Sequence, residues 1–108
     1  VAPSGTRRAG APPPPAAPSD LRVDFIAANR IQIVWTNNAN NQDGFIIESC
    51  AQRGCNNFIE VGRVFPDIRH FVHGNLFPNT QYYYRVRAFN VGGTSAYTDV
   101  VSAKTLKK

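Results

Sequence analysis

Two cysteines and two histidines offer the most chemistry in this sequence. Cys50 and Cys55 bracket Ala51-Gln52-Arg53-Gly54. The spacing suits a local disulfide closing a six-residue ring, worth about 2 kcal/mol by chain entropy. Gly54 lets that loop turn tightly. A pair of free thiols is the competing state, and counting thiols with and without reductant decides between them. A metal site would need more ligands, and the chain has no second Cys pair. A catalytic thiol would need a base, and only His70 and His73 could supply one. A disulfide, once formed, implies an oxidising compartment.

The histidines are three residues apart. On a strand that spacing sends them to opposite faces, so they serve one metal poorly and read as exposed edge-strand residues. Asp67 near His70 is the only local pair resembling catalytic parts. No serine-nucleophile motif and no glycine-rich phosphate loop accompanies it. A non-catalytic chain is therefore expected, with no metal and no cofactor.

A different kind of chemistry lies between Leu76 and Asn90. Pro78-Asn79-Thr80 has turn composition. After it, Tyr82, Tyr84, Val86 and Ala88 fall on one face of a strand, and Tyr83, Arg85, Arg87 and Phe89 on the other. The first face is apolar and the second aromatic and basic. Exposed Tyr and Arg are favoured contact residues, so Tyr83, Arg85, Arg87 and Phe89 form the candidate binding stripe. The competing reading is ordinary strand-surface chemistry, because aromatics favour strands.

The elements that must position these residues are short strands. Leu21 and Val23 begin the first, and Ile31 to Trp35 form the second, with Ile31, Ile33 and Trp35 on one face. Asn37 to Gly44 is a polar loop. Phe45 to Ser49 follows, Phe45 and Ile47 inward, and Phe58 to Val64 returns as its hairpin partner. His70 to His73 is a short strand. Gly92-Gly93 turns the chain into a last strand, Asp99 to Thr105, with Val101 and Ala103 inward. No segment has a helical stripe, and none is long enough to cross a membrane. Short strands between turn signals predict an all-β sandwich.

Ahead of them, residues 1–17 read as a proline-rich linker, and 107–108 as a tail. Pro lacks an amide donor, so 11–18 is expected as a semi-rigid spacer of about 25 Å. Met is absent and the chain opens on Val1, as in a piece of a longer protein. The net charge is +5. Residues 18–106, however, hold eight of the cations and all seven acids, and Arg7, Arg8, Lys107 and Lys108 lie outside. A nucleic-acid binder would cluster its charge on the domain, so no nucleic-acid partner is expected.

Trp35, the run Asp43-Gly44-Phe45-Ile46-Ile47-Glu48, the run Leu76 to Asn90 and then Gly92-Gly93-Thr94-Ser95 together resemble a fibronectin type III domain over 18–106. The resemblance implies a seven-stranded antiparallel Greek-key, immunoglobulin-like sandwich, with three strands on one sheet and four on the other. It implies a core including Trp35, Leu76, Tyr82 and Tyr84. Tyr82 would be the tyrosine corner, its hydroxyl bonding to backbone a few residues upstream. The strand Phe45 to Ser49 would neighbour the candidate stripe, so exposed Glu48 could pair with Arg85 for tenths of a kcal/mol. His73 stands where the family often has Asp, and the two cysteines lie outside its usual pattern.

The function implied is that of a rigid, monomeric spacer between domains of a secreted, extracellular multidomain protein, of the kind found in bacterial polysaccharide-degrading enzymes. The alternative is a protein- or glycan-binding module of an adhesin or receptor, using the Tyr83/Arg85/Arg87/Phe89 face. For a glycan, Tyr83, Phe89 and Tyr97 are a thin aromatic platform once Trp35 is assigned to the core. Arg53-Gly54 is followed by Cys55, so there is no Arg-Gly-Asp tripeptide.

Overall fold

The computed structural model describes residues 11–108. Its eight strands are β1 (Ser19–Ile26), β2 (Ile31–Thr36), β3 (Gly44–Ala51), β4 (Ile59–Val64), β5 (His70–His73), β6 (Gln81–Asn90), β7 (Gly93–Thr94) and β8 (Val101–Lys104). One sheet has the order β1-β2-β5. The other runs β4-β3-β6, with β7 and β8 both paired to β6. All pairings are antiparallel, and no helix occurs among the described residues.

The alternation read from the sequence places the core. Ile31, Ile33 and Trp35 from β2 meet Phe45 and Ile47 from β3 and Tyr84, Val86 and Ala88 from β6 in a dry interlayer. Leu21, Leu76, Tyr82 and Ala103 complete it, and Val101 packs against it. Trp35 stands edge-on to Phe45, ring centroids 5.5 Å apart. The backbone N–H of Phe77 donates to the Tyr82 hydroxyl at 3.0 Å, so the tyrosine corner is made. That bond pins the turn that launches β6.

The strand count differs from seven because the last strand is interrupted. It starts at Gly93, earlier than Asp99, and 95–100 leaves the ladder before it resumes at Val101. The gap is bridged by two hydroxyl residues. Ser95 N–H donates to the Ala88 carbonyl at 2.8 Å and Thr98 N–H to the Val86 carbonyl at 2.8 Å. In return, Ala88 N–H donates to Ser95 Oγ at 2.9 Å and Val86 N–H to Thr98 Oγ1 at 3.1 Å. Side-chain oxygens thus stand in for ladder carbonyls, and the backbone N–H groups of Val86 and Ala88 both find acceptors.

Residues from the proline-rich lead-in lie against the sandwich, with Pro15 and Pro18 buried. The part of the expected linker at 1–10 lies outside the described residues.

Candidate functional site

The candidate stripe runs down the outward face of β6, where Glu48 of β3 lies opposite Arg85 and Ile46 opposite Arg87. This face is not exposed as the alternation suggested. Ile46 and Glu48 are buried, and Tyr83, Arg85, Arg87 and Phe89 are half-buried. The cover comes from both sides. Tyr97 arrives from the interruption in the last strand, and Phe58 precedes β4.

Glu48 is the centre. Its Oε1 accepts from Arg85 Nε at 2.8 Å and pairs with Nη2 at 2.7 Å. Its Oε2 accepts from the Tyr97 hydroxyl at 2.9 Å and lies 3.5 Å from Arg87 Nη2. One carboxylate therefore gathers two guanidiniums and a phenol, which offsets the cost of its burial. Burial first, and then the bond to Glu48, raise the Tyr97 phenol above its ordinary value, so it stays protonated and donates.

The guanidinium faces are also used. Arg85 lies 3.8 Å from the Tyr97 ring centroid and 4.3 Å from that of Phe58. Arg87 stacks on the other part of the same group, 4.6 Å from Tyr97. Arg63 covers Phe89 at 5.0 Å, while its Nε pairs with Glu60 at 2.7 Å. The Arg63 hydrogen bond holds the Glu60 carboxylate below the usual range. Phe89 in turn lies over Gly44, where a Cβ would meet its ring at 2.9 Å. Cations layered between aromatic rings are each worth about 0.5–2 kcal/mol as they desolvate. Arg87 is the least satisfied member. Its buried Nε has no hydrogen-bond partner among the described residues, and its Nη1 reaches Thr94 Oγ1 only at 3.4 Å.

The cysteines form the expected disulfide, Cα atoms 6.1 Å apart. It closes the loop from β3 toward β4, in which Gly54 takes a φ of 81°. Gln52 N–H donates to the Gln81 carbonyl at 2.8 Å, tying that loop to the start of β6.

The histidines separate as predicted, but only His70 is exposed. His73 is the correction. It lies at the end of an edge strand, yet its Nδ1 is 2.8 Å from the Tyr84 hydroxyl. Its ring stands edge-on to Tyr82 and Tyr84, 6.0 and 5.5 Å between centroids. Burial pushes the imidazole below its ordinary value and the Tyr84 phenol well above its own. With Ser49, Ile59, Val61 and Tyr82, His73 lines a cleft of about 290 Å³ where β4 and β5 part. No group of three or more His, Cys, Asp or Glu placed to hold a metal occurs among the described residues. No helix there is long and apolar enough to cross a membrane.

The two-sheet sandwich, the tyrosine corner and the spliced last strand define an immunoglobulin-like module. The chain belongs to the fibronectin type III domain family, whose model matches residues 16–104. Domains A168–A170 of titin superimpose with a TM-score of 0.77 at 23% identity, over 87% of this chain and 33% of that one. The FN1–FN3 domains of chicken CNTN1 give 0.74 at 25% identity, over 83% and 30%. A structure described as a myokine gives 0.74 at 23% identity, over 86% and 99%. The chain thus spans about a third of the titin and CNTN1 fragments and nearly the whole myokine chain. Fibronectin type III domains are typically non-catalytic and serve as spacers or binding modules in multidomain chains, next to other domains.

Proposed function

We propose that this domain is a rigid, non-catalytic spacer, monomeric in itself, between modules of a secreted multidomain protein such as a polysaccharide-degrading enzyme. The observation that carries this reading is the state of the candidate stripe. Arg85 spends its donors on Glu48 and its faces on Tyr97 and Phe58, and Arg63 covers Phe89. A surface whose charges and rings are committed to one another offers little to a partner, and it stiffens the sheet. The disulfide supports an oxidising, extracellular setting. The test is a glycan array and a pull-down with the isolated chain. The expected result is no saturable binding, and a saturable ligand would overturn the spacer.

One observation favours a binding module instead. Arg87 keeps a buried Nε without a partner and two long contacts, and Tyr83 lies on the same outward row. On that reading Tyr83→Ala with Arg87→Ala abolishes capture of a protein or glycan ligand while the chain stays folded. Intact capture by that variant excludes the face.

A further inference from the structure

The proline-rich lead-in is held by a seat whose chemistry matches it. The Pro13 carbonyl oxygen accepts from the Asn90 side-chain amide at 2.9 Å and from that of Asn41 at 3.1 Å. The Ala17 carbonyl accepts from Asn38 Nδ2 at 3.0 Å. Asn90 is buried, and the rest of its amide is committed too. Its Nδ2 also donates to the Asn41 carbonyl at 3.1 Å, and its Oδ1 accepts from Gly92 N–H at 2.7 Å. One side chain therefore joins the lead-in, the loop before β3 and the turn after β6. Below the strand, Gly92 leaves the space. A Cβ there would collide with the Pro12 carbonyl oxygen, and one on Gly93 would meet the Pro14 ring at 3.3 Å.

A run of prolines cannot join a sheet edge, because it has acceptors but no amide donors. Asparagine side-chain amides, one in the loop before β3 and one at the end of β6, supply donors without a ladder. A seat that donates suits a strand that can only accept, and paired glycines let its backbone come close. We infer that Asn41, Asn90, Gly92 and Gly93 form a docking seat for a proline-rich strand, occupied by this chain's own Pro12–Pro14. The lead-in is then a strap belonging to the domain, fixed beside the β6–β7 turn. What this means for a neighbouring module rests on the spacer reading; the seat itself does not.

Backbone 15N relaxation on the full chain tests it. The {1H}-15N NOE of Ala11, Ala16 and Ala17 should equal that of β6 amides, and the Asn90 side-chain amide protons should exchange slowly. Gly92→Val should drop Ala11 to free-tail values with β6 unchanged. If that variant fails to fold, Asn41→Ala, which removes one of two donors to Pro13, should give a smaller drop in the same direction. Free-tail values for Ala11 in the unaltered chain would overturn the seat. So would a concentration-dependent dimer in which the strap of a second copy fills it. Saturable ligand binding with the alanine values unchanged would instead sink the spacer and leave the seat standing.

Discussion

The two faces of β6 are fixed by different physics. Inward, Tyr84, Val86 and Ala88 are fully buried in the interlayer, with the Tyr84 hydroxyl 2.8 Å from His73 Nδ1. Outward, Arg85 and Arg87 remain about a quarter exposed, at 28% and 27% of the side chain, and are ordered by a shared carboxylate and by ring faces. Burial is non-directional and tolerant, whereas the outward arrangement depends on geometry and charge. A strand so held cannot rotate to suit a partner on either side, which is the property a stiff module needs.

Breaking the inward side should cost most. Trp35→Ala opens a cavity between the sheets and should lower stability by about 3–5 kcal/mol, a large share of the about 5–15 kcal/mol such a domain has. A denaturant midpoint equal to that of the unaltered chain would reject the core assignment. The outward side should follow. Glu48→Gln leaves two guanidiniums without their counter-charge and should cost about 1.5–3 kcal/mol. Because one carboxylate serves both, combining it with Arg85→Ala should cost less than the two single changes added together. Additivity would show that the group does not act as a unit.

The pH dependence sharpens the contrast, because His73, which titrates near neutral pH, reaches the inward Tyr84. His73 has a folded value below its unfolded one, so the unfolded chain binds the proton more readily. The associated stability is complete above the ordinary histidine value of about 6.5 and is lost as the pH falls below it. Chemical denaturation between pH 8 and 5 should show that loss. His73→Gln should flatten it, and an unchanged slope in that variant would remove the assignment. The smallest effect belongs to the exposed rim. Glu60→Gln removes an ion pair whose side chains are 53% and 42% exposed. It should leave the midpoint unmoved in 1 M salt, and a clear shift there would mean the rim bears structure.

Much of this was legible in the residues. Period two in Tyr82–Phe89 assigned both faces of β6, Trp35 and Tyr82 found their places, and Cys50 found Cys55. The errors at Glu48 and His73 share one cause. Alternation says which way a side chain points but not what folds over it. Glu48 points outward as read, yet Tyr97 and Phe58 come from separate stretches to cover it. His73 sits on an edge as read, yet two tyrosines from β6 reach it. The splice at Ser95 and Thr98 lengthens one strand into two, and its signal is weak: hydroxyl residues three apart after a glycine turn. Pro13 carries no side-chain signal for Asn41 or Asn90, since only its carbonyl is recognised.

The hydroxyl splice also matters for how this domain meets foreign strands. One margin of the larger sheet consists of a two-residue and a four-residue piece, whereas the other is the six-residue β4. Stray strands need an unbroken row of amides and carbonyls to template on. A margin cut into such short lengths gives a stray strand nothing long enough to zip against on that side of the sheet.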